Sequence, residues 1–143
     1  EWSRGLGDVY KRQHYARSMA SYGVFLAACG FEYHGPRRRI GFAPRVSPDN
    51  FKAPFTAAEG WGSFSQKVVD GRQSASIELR YGTLHLKQFA FDSVPRTEAS
   101  KPMVTLDGRD IDAQFQRDGA RTIIRFPEGI DIAAGQTLQV QHV

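Results

Sequence analysis

The chain has 143 residues, 41% of them hydrophobic, a formal net charge of +4 and one cysteine. That length fits one domain or two small lobes, and the apolar content is enough for a packed core rather than wholesale disorder. A single cysteine excludes an intrachain disulfide, no apolar run approaches the roughly 20 residues of a membrane-spanning helix, and scattered basic charge alone indicates no nucleic-acid partner.

Residues 1–13, "EWSRGLGDVYKRQ", mix charges with Gly5 and Gly7 and carry too few apolar residues for a core-facing stripe. No basic-then-apolar leader opens the chain, and the compartment is left open between bacterial cytoplasm and export. From His14 the pattern changes. "HYARSMASYGVFLAACGF" places Tyr15, Met19, Tyr22, Leu26 and Cys29 on one face at steps of 4, 3, 4 and 3, which predicts a helix over 14–31. Its second half is apolar or small nearly all round, so the helix is expected to be buried on more than one side. Gly30 is placed to cap it, and Cys29 reads as a small buried hydrophobe. His14, Arg17 and Ser21 form a short polar strip, in which the arginine requires a partner if buried.

Residues 32–62 are rich in turn formers, with Gly35-Pro36 and with Pro44, Pro48 and Pro54 interrupting any helix. This segment reads as a loop-rich wrap pinned to its neighbour by Phe42, Phe51, Phe55 and Trp61. Arg37, Arg38 and Arg39 read as a solvated loop. Beyond Ser63 the period becomes two. "SFSQKVV", "SASIELRY", "TLHLKQFAF", "PMVTL", "DAQFQ", "RTIIRF" and "TLQVQHV" predict six to eight antiparallel strands. Asp-Gly hairpin signals stand at Asp70, Asp107 and Asp118, "YGT" reads as a further turn, and Val94–Pro102 is the best break between two groups of strands.

Most carboxylates fall in turns or at outward strand positions. Glu59, within "FTAAEGWG", is flanked by small and aromatic residues, which suggests partial burial either as a structural carboxylate or beside a ligand. No second acid is paired with it by local spacing. The four histidines are far apart and form no metal-binding pair. Of the aromatic residues in the β half, Tyr81, Phe89, Phe91, Phe115 and Phe126 are available for a sugar-binding platform, but alternation turns most of them inward.

"HYARSMASYG" followed by "GPRRRIGFAPRVSPDNFKAPFTAAEGWGSFSQ" resembles the C-terminal end of glycoside hydrolase family 116, the bacterial β-glucosidases and non-lysosomal glucosylceramidase, over His14 to Gln66. The string "SRGLGDVYKRQ" resembles translated sequencing-adapter DNA, which would make residues 1–13 an artefact. The family resemblance implies an α+β fragment: 14–66 as the last helix of an (α/α)6 barrel with its wrap, then 67–143 as an antiparallel β-sandwich-like lobe. It implies part of a retaining β-glycosidase acting on β-glucosides, without redox cofactor or metal, whose two catalytic carboxylates lie upstream. By the same resemblance Arg17 contacts the glycone hydroxyls, the one family site residue that maps onto this chain, and the remainder of the parent enzyme is the partner; His14 and Glu59 stand beside Arg17 as further substrate-binding candidates. The family's glutamate before the histidine is replaced here by "GDVYKRQ". The alternative is a non-catalytic β-sandwich module that binds carbohydrate or another partner.

Overall fold

The computed structural model describes residues 17–95 and 101–142. The head at 1–13 and His14 lie outside the described residues, as does the middle of the Val94–Pro102 break. The described chain is mostly strand, with one helix, α1, running through residues 17–29.

Ten strands follow: β1 (Glu32–His34), β2 (Arg39–Phe42), β3 (Asn50–Thr56), β4 (Gly60–Val69), β5 (Arg72–Asp92), β6 (Pro102–Leu106), β7 (Arg109–Asp110), β8 (Gln114–Asp118), β9 (Arg121–Ala133) and β10 (Thr137–His142). β5 organises them. Its first half lies between β4 and β10, both antiparallel to it, with β3 beyond β4 and with β6 and β7 beyond β10. Its second half lies between β9, antiparallel, and β2, parallel, with β8 and β1 outside them. The sheet is therefore mixed.

This arrangement corrects the expected α+β fragment with an (α/α)6 barrel helix and a peripheral wrap. Residues 32–56 form three strands, and Ile40, Phe42 and Phe55 join Phe64, Phe89, Ile124 and Leu138 in one buried core. The Phe42 and Phe64 rings stack with centroids 4.0 Å apart and nearly parallel planes. Prolines concealed these strands. Pro54 is exposed on β3, which among the described residues pairs with β4 alone, and an edge strand tolerates a residue with no N–H to donate. Position 66, where a barrel segment was expected to give way to the β lobe, falls inside β4.

α1 is corrected as well. The expected burial on several sides is not found: Met19, Tyr22 and Val24 are exposed, Phe25 and Leu26 are half-buried, and only Cys29 is buried. Burial pushes the Cys29 thiol pKa up, which keeps it in the neutral form. The helix ends where Gly30 was expected to cap it. Gly30 adopts φ +55°, its N–H donates to Ala27 O, and the N–H of Phe31 reaches Leu26 O. Bonds from Ala43 N to Cys29 O and from Arg45 N to Ala28 O tie this end to the segment after β2.

All three Asp-Gly signals mark hairpins: β4 to β5, β6 to β7 and β8 to β9. Asp70-Gly71 and Asp107-Gly108 have positive φ at both residues, the pattern of a type I′ turn. "YGT" is not a turn. β5 runs straight through it for 21 residues, with Gly82 at φ +77°. A Cβ there would strike the Glu59 carbonyl, so glycine lets β5 pass close under the start of β4. Among the described residues, no helix is long and apolar enough to cross a membrane.

Candidate functional site

A cluster of charged side chains beside a cleft surrounds His85. β5 presents His85 opposite Asp131 in its register with β9. The turn between β3 and β4 brings Glu59 to the same ring. His85 Nδ1 hydrogen-bonds Asp131 Oδ1 at 2.5 Å, and Nε2 lies 3.2 Å from Glu59 Oε2, within ion-pair distance. The protonated imidazole has a donor on each nitrogen and so suits both acids at once. The pKa of His85 is raised, chiefly by the hydrogen bond to Asp131, with the charges of Asp131 and Glu59 adding to it against desolvation and the charge of Arg38.

A cleft of about 340 Å³ opens beside this group, lined by Tyr33, Arg38, Glu59, Thr83 and His85 among others. Its walls are fixed by the backbone. The Tyr33 hydroxyl accepts from Ala58 N, Thr83 N donates to Glu59 O, and Arg38 N donates to Gly35 O in a left-handed turn. Arg37 and Arg38 are exposed, while Arg39 pairs with Glu32 at 3.3 Å.

The group does not form a nucleophilic triad. Both nitrogens of His85 face carboxylates, and among the described residues no hydroxyl or thiol hydrogen-bonds to the ring. Nor does any cluster of three or more His, Cys, Asp or Glu among the described residues have the arrangement of a metal site. What it can do is recognise a polar ligand, through a cation, carboxylates and hydroxyls around a shallow cleft.

The sequence-based candidates are not brought together. Arg17 is exposed on the first described turn of α1, where its carbonyl accepts from Ser21 Oγ at 2.9 Å. No hydrogen bond or ion pair joins Arg17 to Glu59, which is engaged by His85. Glu59 is also more open than its neighbours suggested, since its side chain is two-thirds exposed at the tip of a turn. His14 lies outside the described residues. His85 and Asp131 were missed because 46 residues separate them and only the pairing of β5 with β9 makes them neighbours.

Trp61 was expected to anchor the wrap, yet it is 50% exposed, directly opposite Tyr81, which is 66% exposed. Phe89, Phe91 and Phe126 are buried, and Phe115 is half-buried, as strand alternation predicted for most of the aromatic residues.

No family model and no curated protein matches this chain.

Proposed function

We propose that the chain is a non-catalytic, carbohydrate-engaging part of a retaining β-glycosidase of the β-glucosidase and glucosylceramidase type. The observation that carries this reading is the layout of "FTAAEGWG". It sets Glu59 in a polar cleft with His85 and, two residues later, sets Trp61 on the surface beside Tyr81. Charged groups that grip hydroxyls, next to exposed aromatic side chains, match the hydroxyl edge and the flat C–H face of a sugar ring.

In this reading the carboxylates that cleave the glycosidic bond belong to the rest of the enzyme. Arg17, exposed on α1, contributes its planar set of donors to the glycone site there. The uncovered apolar side chains of Met19, Tyr22 and Val24 on the same helix support a further protein surface as its neighbour. The single core shared by both halves of β5 favours a second reading, a self-standing β module that binds carbohydrate without any enzyme attached.

The test is to incubate the full chain with 4-nitrophenyl β-D-glucopyranoside and, separately, to titrate it with cello-oligosaccharides. The expected outcome is binding without release of 4-nitrophenolate. Release of 4-nitrophenolate by the chain, whether or not Arg17→Ala abolishes it, would overturn the non-catalytic role. Failure to bind any oligosaccharide would overturn the carbohydrate reading.

A further inference from the structure

We propose that Trp61 and Tyr81 form a stacking platform for a β-linked glycan chain on the outer face of β4 and β5, adjoining the His85 cleft. The inference rests on the carbohydrate reading above and deepens it by naming the ligand class and the residues that hold it.

Trp61 and Tyr81 face each other across the β4–β5 register, and opposed residues of an antiparallel pair share a face. Trp61 is half exposed and Tyr81 two-thirds exposed, and their rings make no aromatic contact with each other and their polar atoms make no hydrogen bond within the described structure. Two large aromatic side chains thus stand opposite each other on neighbouring strands with much of their surface open to solvent. Most of the phenylalanines, by contrast, pack into the core.

The backbone beneath them has a particular build. The register shifts between Trp61 and Gly62, a β-bulge of the kind that re-aims side chains next to sites. A Cβ at Gly62 would overlap the carbonyl of Glu78, so only glycine allows β4 to lie this close to β5. The two rings therefore stand on a tight, paired backbone rather than on a loop.

The surroundings select the occupant. Beyond the rings, the outward positions of β4 and β5 carry Ser63, Ser65, Ser76 and Glu78, with Ser65 and Ser76 joined at 2.8 Å and Arg80 paired with Glu78 at 3.0 Å. A protein interface of standard kind has an apolar, charge-depleted centre with its polar groups at the rim. Here the aromatic pair passes directly into hydroxyls and an ion pair. A β-linked glucan has equatorial hydroxyls, so each sugar ring offers a flat C–H face to an aromatic ring and a hydroxyl edge to serine, glutamate and arginine. The His85 cleft follows on the same strand, four residues after Tyr81 and just beyond Gly82.

The experiment is calorimetric titration of the full chain with cellohexaose, for wild type, Trp61→Ala, Tyr81→Ala, Trp61→Phe and His85→Gln, with circular dichroism as the check on folding. Trp61→Ala and Tyr81→Ala are expected each to weaken binding by about tenfold or more, and Trp61→Phe to recover most of it. Unchanged affinity in both alanine variants, with loss in His85→Gln, would overturn the platform while leaving the carbohydrate reading in place. Absence of binding by wild type would overturn both. Self-association of wild type that disappears in Trp61→Ala, without glycan binding, would assign the face to a second copy of this chain and overturn the platform.

Discussion

His85 and Asp131 stand directly opposite each other on β5 and β9, 46 residues apart in sequence, and are joined through Nδ1 and Oδ1. Glu59 completes the group from the other ring nitrogen. The raised pKa of His85 makes this group sensitive to pH. Its contribution to stability is fully present below the ordinary histidine value of 6.5, while the carboxylates remain ionised, and is lost as pH rises through the higher folded value. Wild type is therefore expected to exceed His85→Gln in thermal midpoint most clearly near pH 6, with the gap closing toward alkaline pH. A gap that widens as pH rises would contradict the arrangement.

The packing of β2 into the core carries its own prediction. Phe42 is fully buried against Phe64, so Phe42→Ala is expected to cost about 3–5 kcal/mol in urea unfolding. A cost within about 0.5 kcal/mol would mean that residues 32–56 lie on the surface as a wrap, as their prolines first suggested.

That contrast shows how far the sequence was legible. Period-two alternation and the Asp-Gly pairs located the hairpins, because both signals are local. β3 was obscured by Pro54, which is tolerated only because that strand lies at an edge, a property of the assembled sheet. α1 shows a helical stripe in its sequence, but a stripe reports which face could be buried rather than whether anything covers it. For the site, Glu59 and Trp61 stood out in "FTAAEGWG", although both are more exposed than expected, one at the turn tip and the other opposite the bulge in β5. His85 and Asp131 carried no local signal, since strand pairing alone brings them together.

Gly82 is the point where β5 passes under the β3–β4 turn at φ +77°. Gly82→Ala is expected to destabilise the fold by at least about 1 kcal/mol, through both its left-handed backbone and contact with the Glu59 carbonyl. Equilibrium denaturation reads this directly. A neutral result would mean that the two segments can separate without cost.

The outer face of α1 should be energetically silent in the isolated chain. Met19→Ser and Val24→Ser, at 73% and 70% exposed positions, are expected to change unfolding free energy by no more than about 0.5 kcal/mol. Losses of 2 kcal/mol or more, on the order of a buried side chain, would show that this face is already covered.

The central claim is that the chain engages carbohydrate without cleaving it. Calorimetric titration of cellohexaose into the full chain, with the oligosaccharide analysed afterwards, tests it most directly. The account predicts a saturable heat of binding and recovery of the hexasaccharide intact. No heat of binding, or shortened oligosaccharides at the end of the titration, would contradict it.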